Sequence, residues 1–568
     1  MRRRIILVAL AVACVAALWS QLPARRTRLE PVDDPRVVRG AFHVHTDRSD
    51  GTGTPEHVAH AAASAGLAFV ILADHGDATR AADPPRYLDG VLLIDAVEIS
   101  TTGGHYIALG IGHSPYRLAG EPRDVVDDVR RLGGFGIAAH PDSPKNDLAW
   151  RDWQAPIDGL EWLNADSAWR DESRETMVRG LFTYWFRSPE VIASLFDRPS
   201  RTLARWDALG KRRPVVAIAG HDAHARMGLR GDWDPSDEEA YSLRVPSYEA
   251  AFRAFSVNVI LPRPWLGDRN RPSEDAAVLL GAIRAGRVFT VIEGVAGPAV
   301  LELGASSAAG PRLMGDRLDG PGRVTATLRP SVKDAQLQLL ANGHVVAQGT
   351  GPTVGIDHAA DSGPTVYRAQ VMLPNAPGTP PVQWIVSNPL YAGLAAPRAP
   401  RPLLPPRTWA APAPKDGWRV ERHPGSQVSL DSVVLSPDIT AWTMNWRLAS
   451  GAPAGQYAAL VVPVPPGPMA KADRLTFAAR ASRPMRISVQ LRVPEGKGLR
   501  WQRSLYLSTE PVEHSIALRE MTPIEAPPGT PLDLAHVDSI LFVVDTVNTT
   551  PGAAGEIWVS QLEIAGID

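Results

Sequence analysis

Between Arg36 and Ala296 the chain alternates short, wholly apolar runs with amphipathic stretches. The segments "AFHVH", "LAFVIL", "VLLIDAVEI", "HYIALGI", "FGIAAH", "GLEWL" and "VVAIAG" read as buried strands: they are short, rich in β-branched residues and bounded by turn formers. Thr54 to Ala65 reads as a helix. Thr54 is suited to cap it, Pro55 to its first turn and Gly66 to its end, with Val58, Ala61, Ala62 and Ala65 as its apolar stripe. Strands alternating with helices predict an α/β domain on a mainly parallel sheet, open or closed into a barrel. Pro144 to Arg213 breaks this rhythm with helical segments carrying Trp150, Trp153, Trp162, Trp169, Trp185 and Trp206, and reads largely as an insertion over one end of the sheet.

From Pro298 the period changes to two. "AVLELGA", "RVTATLRP", "AQLQLLANGHVV", "TVYRAQVML" and "VQWIVSNPLY" alternate apolar and polar positions between Gly/Pro turns, which predicts an antiparallel β-sandwich over 298–394. Residues 395–415 are Pro-rich and read as a semi-rigid linker. Residues 416–568 predict a second all-β unit with jelly-roll-like strand spacing, on which Trp501 and Tyr506 are candidates for a sugar-stacking platform.

The start, "MRRR" followed by "IILVALAVACVAALW", predicts a signal peptide or membrane anchor within 1–30, and hence export to the periplasm or medium, or a membrane tether. The single cysteine, Cys14, lies in this segment, so the rest of the chain has neither a disulfide nor a thiolate ligand or nucleophile. With a net charge of −2 and no Lys/Arg block in its body, the chain lacks a nucleic-acid footprint.

Candidate chemistry changes the picture most. Ten of the 15 histidines fall between His43 and His224, under a third of the chain. His43 and His45 stand two apart on a strand and so share a face, with Phe42 and Val44 turned the other way into packing. His75, Glu98, His140, Asp222 and His224 follow apolar runs, at the strand ends where α/β sites collect, whereas His105 opens its run after a Gly-Gly turn. Singly, each is as well explained as a surface or hydrogen-bonded residue. Together, so many imidazoles and carboxylates at sheet ends would be costly without cations to satisfy them. Imidazole with carboxylate suits Zn, Fe and Mn alike. Asp74 is a candidate to orient His75 or the metal shell, or else a strand-end hydrogen-bonder; Arg226 is a candidate to grip an anionic substrate, or else a surface salt bridge; and His221 is a candidate outer-shell proton carrier. His57 and His60 fall on the polar side of the Thr54 helix.

"HVHTDRSDG", "LADHG", "VEIS…GGHYIALG", "AAHPD" and "GHDAH", in this order, resemble the motifs of the PHP (polymerase and histidinol phosphatase) superfamily, and most of all its exported, carbaryl-hydrolase-like metallohydrolases. The resemblance covers 36–297. It implies a distorted (β/α)7 barrel holding two to three divalent ions (Mn, Zn or Fe). Carried over by motif, His43, His45, Glu98 and Asp222 would hold one ion, Glu98 would bridge to a second held by His105 and His140, and Asp50, His75 and His224 would hold a third. His113 rivals His105. The implied activity is hydrolysis, of a phosphoester first, by a metal-bridging hydroxide assisted by Arg226 and His221. A carbamate, amide or carboxylic ester is the alternative bond, and a silent glycan-binding protein the non-enzymatic one. An apolar pocket lined by Trp150, Trp153 or Trp162 would favour the carbamate, and a cationic one using Arg226 the phosphate.

Overall fold

Short apolar runs become strands because each can bury both faces. In the computed structural model these are Val37–Val44 (β1), Phe69–Leu72 (β2), Arg86–Leu88 (β3), Val91–Asp95 (β4), Val97–Thr101 (β5), Gly104–Leu109 (β6), Phe135–Ala138 (β7), Gly159–Asn164 (β8), Val216–Gly220 (β9), Ser256–Ile260 (β10) and Val288–Val291 (β11). The structure describes residues 19–228, 242–359, 363–395, 407–410, 417–436, 439–451, 455–464, 468–494, 498–524, 526–527 and 529–566. Residues 1–18, most of the segment expected to be a signal peptide or membrane anchor, therefore lie outside the described residues. Among the described residues, no helix is long and apolar enough to cross a membrane. Thr27–Arg28 pairs with Ala296–Gly297, so folded structure begins ahead of residue 30.

The strands form two sheets. In one, β1, β2 and β4 run parallel, with β3 antiparallel at the edge and β10 and β11 antiparallel on the far side of β1. In the other, β5, β6 and β7 pair antiparallel, and β7, β8 and β9 parallel. Single-residue bridges, Val44 to Ala223 and His75 to Glu98, join the sheets at one end. The closed (β/α)7 barrel is thus not shown. Tight turns replace crossover helices between β5 and β6 and between β3 and β4, and a tight turn can only return the chain antiparallel. Nor is 144–213 simply an insertion: β8 is an interior strand of the second sheet, and Trp150, Trp162 and Trp206 are core residues.

Between the sheets lies an apolar floor including Phe42, Ile71, Ile94, Ile107, Ile137, Ala139 and Ile218. Outside, the helix Pro55–Ser64 (α1) covers the first sheet through Val58, Ala59 and Ala62. It is capped by the Thr54 side chain, which accepts from the His57 backbone N–H.

Of the expected sandwich strands, Gln336–Ala341, Thr365–Met372, Ile385–Ser387 and Leu390–Ala392 continue the first sheet, with Ile385–Ser387 paired to β11, whereas Val300–Ser307 and Gly322–Arg329 lie in a separate four-stranded antiparallel sheet that shares a core with them. The chain divides into two compact units. One is built from residues up to Asp77, Ala81–Gly112 and Val126–Pro397, and the other from Ala78–Arg80, His113–Val125 and Arg398–Asp568. The second unit contains two antiparallel six-stranded sheets around a common core. Most of the expected linker lies outside the described residues, but Arg407–Ala410 within it is a strand, paired with the last strand of the chain. Trp501 is a core residue of this unit, with its indole N–H donating to Thr530 O (3.1 Å), and so offers no stacking platform. Tyr506 is half-buried beside Tyr116.

Candidate metal centre

The turn after β1 departs from simple alternation. His43 is bulged out of the ladder, with Phe42 opposite Ile71 and Val44 opposite Leu72, and has φ +64°. Phe42 consequently enters the floor between the sheets, whereas Val44 joins the outer core under α1. Strict alternation would place both on one face. The bulge re-aims His43 and lets its Nε2 meet that of His45 at 3.0 Å. His140 (φ +30°) and Asp222 (φ +47°), just beyond β7 and β9, are also left-handed. A non-glycine residue there costs about 1–3 kcal/mol, sustained only where its surroundings dictate it.

The structure brings the nine residues together. His43 Nε2 and His45 Nε2 both face Glu98 Oε2 (3.2 and 3.3 Å) and Asp222 Oδ1 (3.4 and 3.3 Å). The other Glu98 oxygen, Oε1, faces His105 Nδ1 at 2.9 Å and His140 Nε2 at 2.8 Å. His75 Nδ1 lies 3.2 Å from Glu98 Oε2, while Asp50 approaches His45 (3.3 Å), His75 (3.7 Å) and His224 (3.1 Å). Ligand atoms gather in four overlapping groups: His45, Asp50, His75 and His224; His43, Glu98 and His140; His43, His45 and Asp222; and His75, Glu98 and His105. His113, the rival to His105, is exposed and in none of them.

These residues fit divalent cations. Two imidazole nitrogens 3.0 Å apart share a hydrogen bond if one proton lies between them, repel if both are protonated, and if both are bare can both turn lone pairs to an ion. Neighbouring N and O ligands on an ion with bonds of about 2.0–2.2 Å stand about 3 Å apart, as here. The electrostatics agree. Burial alone would raise the Glu98 carboxyl, but His43, His75 and His105 outweigh it and hold it well below the usual carboxylate range. Asp222 is likewise lowered against the cost of burial, by His43 and His45. Burial alone would lower the His45 imidazole, but the Asp222 and Glu98 carboxylates push it up to about 10. His43 is raised well above its ordinary value, against burial, by Asp222, Glu161 and Glu98. The carboxylates thus demand positive charge, which protons on imidazoles or metal ions can supply.

One residue that sequence reading missed holds this arrangement. Glu161, buried on β8, accepts from His43 Nδ1 (2.7 Å), the His140 backbone N–H (2.6 Å) and Asn164 Nδ2 (2.8 Å). Asn164 Nδ2 also donates to Asp222 Oδ2 (3.1 Å). With His43 Nδ1–H bound to Glu161 and His140 Nδ1–H to Leu148 O (3.1 Å), both rings turn a bare Nε2 to the cluster. The available signal was a carboxylate inside an apolar strand, in "GLEWL". Gly220 on β9 is required here, because a Cβ would sit 1.9 Å from Glu161 Oε1.

The remaining candidates are placed differently. Asp74 accepts from the Thr46 backbone N–H, Thr46 Oγ1 and Ser49 Oγ, all at 2.7 Å, and so braces the turn that carries Asp50 rather than orienting His75. His221 is stacked on Phe255. Its Nε2 donates to Phe255 O (3.1 Å) and its Nδ1 takes the Phe42 backbone N–H (3.4 Å), which leaves no nitrogen to carry protons to the cluster. Arg226 lines a cleft that also reaches Asp222 and His224. His57 and His60 are exposed on α1.

No family model matches the chain. An uncharacterized protein of Methanocaldococcus jannaschii is 28% identical over 144 residues, covering 22% of this chain and 82% of that one. Among solved structures, the chain is similar to a two-domain protein of Bacteroides vulgatus containing a predicted PHP-like metal-dependent phosphoesterase, at 14% identity over 64% of this chain and 90% of that one, with a TM-score of 0.27. It is also similar to a family 11 carbohydrate-binding module of Clostridium thermocellum, at 17% identity over 27% of this chain and 92% of that one, with a TM-score of 0.22. These likenesses are too distant to assign a family or an activity.

Proposed function

We propose that this protein is a metal-dependent hydrolase, that its centre holds two to three divalent ions, and that the bond it breaks is a phosphoester. The observation that supports this most is the convergence of nine side chains on one cluster, buried at His43, His45, Glu98, His105, His140 and Asp222 and open to solvent at His75, with each Glu98 oxygen facing its own set of imidazoles. In this reading His43, His45, Glu98 and Asp222 hold one ion, Glu98, His105 and His140 a second, and Asp50, His75 and His224 a third. When bound, the ions supply Lewis acidity, which lowers the pKa of water and neutralises charge developing on the ester oxygens.

The chain's own residues do the rest. Glu161 keeps Nε2 of His43 bare and fixes the backbone at His140, Asn164 ties Glu161 to Asp222, and Asp74 locks the turn that presents Asp50. Arg226 lies on the cleft wall beside Asp222 and His224, where a guanidinium would receive a phosphoryl oxygen. That position favours a phosphoester. The opposite, apolar wall of the cleft favours a carbamate or carboxylic ester as the second reading, although its lining includes none of Trp150, Trp153 and Trp162. The basic start and apolar run of the leader support export or a retained anchor.

Protein loaded with Mn or Zn should turn over bis(p-nitrophenyl) phosphate, and a His43→Ala/His45→Ala variant should not. Turnover confined to a naphthyl carbamate would move the reading to the second bond. Metal-independent turnover, or full activity in the double variant, would overturn it.

A further inference from the structure

The cleft beside the cluster has two unlike walls. One is the chain just after β9, with Asp222, His224 and Arg226. The other is the helix Arg174–Ala193 (α2), which presents Met177, Gly180, Leu181 and Tyr184, and beyond a break at Arg187 the residues Val191 and Ile192. The break has a local cause. Pro189 cannot donate into the helix, and Arg187 leaves helical geometry (φ −151°, ψ 58°). The two halves of α2 therefore both contribute to the apolar wall. The helix is pinned by Tyr184, whose hydroxyl accepts from the Ser247 backbone N–H at 2.8 Å.

A second stripe on α2 is open to solvent. Val178, Phe182, Trp185 and Phe186 are 56%, 67%, 75% and 64% exposed, and Leu181, at 37%, belongs to both stripes. The cleft stripe (177, 180, 181, 184) and the open stripe (178, 181, 182, 185, 186) both follow i, i+3, i+4 spacing and are offset by one residue, so they lie side by side on one helix. The two stripes share Leu181, so apolar side chains extend from the solvent-exposed face of α2 into the cleft that reaches Asp222 and His224. Exposed aromatics in such a patch mark a binding surface.

We propose that the substrate is amphiphilic: an ester whose head reacts at the metal cluster and whose extended apolar chain lies along α2. This rests on the hydrolase reading above and adds its substrate class. The apolar wall suits a hydrocarbon chain, and the Asp222–His224–Arg226 wall suits the charged head.

A series of p-nitrophenyl alkyl phosphates, with methyl, butyl and octyl groups, tests this on the metal-loaded full chain. In each case water bonds to phosphorus, the P–O bond to the p-nitrophenyl group breaks, and alkyl phosphate, p-nitrophenolate and two protons result. Seating each added methylene should raise kcat/KM, giving a gain of at least about tenfold from methyl to octyl, expressed mainly in KM. Leu181→Asp should abolish this length dependence and Leu181→Met should keep it. The exposed pair Phe182→Ser/Trp185→Ser, which disturbs no core, should reduce it. Turnover indifferent to chain length in the unaltered protein would overturn this inference while leaving the hydrolase reading intact. No turnover on any member would remove both.

Discussion

Replacing Glu161 with Gln should loosen the metal centre without touching any residue proposed as a ligand. The side chain is 1% exposed and takes three donors on two oxygens: His43 Nδ1–H, the His140 backbone N–H and Asn164 Nδ2–H. Glutamine keeps the shape but has one acceptor oxygen and an NH2 group, so at least one of those donors must face another donor. A buried polar group left unpaired costs about 1–3 kcal/mol. His43 also loses the partner that holds its proton on Nδ1, which frees the tautomer that turns N–H rather than lone pair towards Glu98. Losing such a partner typically weakens metal affinity about 10- to 100-fold, or about 1.4–2.7 kcal/mol. Competition titration of Zn or Mn against a chelator, alongside circular dichroism to verify the fold, measures this directly. A correctly folded Glu161→Gln protein with metal affinity within a factor of two of the parent would refute the reasoning, because Glu161 would then be packing and nothing more.

Three further outcomes follow from particular contacts. Gly220→Ala, whose Cβ would stand 1.9 Å from Glu161 Oε1, should lower stability by about 1–3 kcal/mol in urea titration and weaken metal binding in parallel. Burial lowers the His221 imidazole to about 4, so its contribution to stability is fully present above pH 6.5 and is lost as pH falls from there towards 4, by up to about 3 kcal/mol. A His221→Gln variant should show a correspondingly shallower loss over that window, and an unchanged slope would contradict the assignment. Trp501→Ala should cost about 3–5 kcal/mol in thermal or chemical unfolding of the C-terminal unit, since the indole is core; a change in sugar binding at unaltered stability would contradict that placement.

The strand runs and the capped helix at Thr54 were legible in the chain because caps and turn formers mark them, and His43, His45, His75, Glu98, His140, Asp222 and His224 because they stand on or just after apolar runs, whereas Asp50 and His105 entered the set through the resemblance of their motifs. Three kinds of information were not legible. Strand direction depends on tight turns that return the chain antiparallel, as between β5 and β6, and periodicity carries no sense of direction. The face assignment at Phe42 and Val44 failed because a one-residue bulge reverses alternation, and nothing in "AFHVH" announces a positive φ at His43. Trp501 and Glu161 were misjudged for opposite reasons. An aromatic on an alternating strand can face either side, and a charged residue within an apolar run is easily passed over unless its partners, here His43, His140 and Asn164, are already known to converge on it.

The most direct test of the central claim is crystallography of the protein grown with Mn or Zn, with anomalous scattering measured at the metal edge. The account predicts more than one anomalous peak within the cluster, with Glu98 in bonding range of two of them through its separate oxygens. A well-ordered cluster without any peak, or peaks confined to the protein surface, would contradict it.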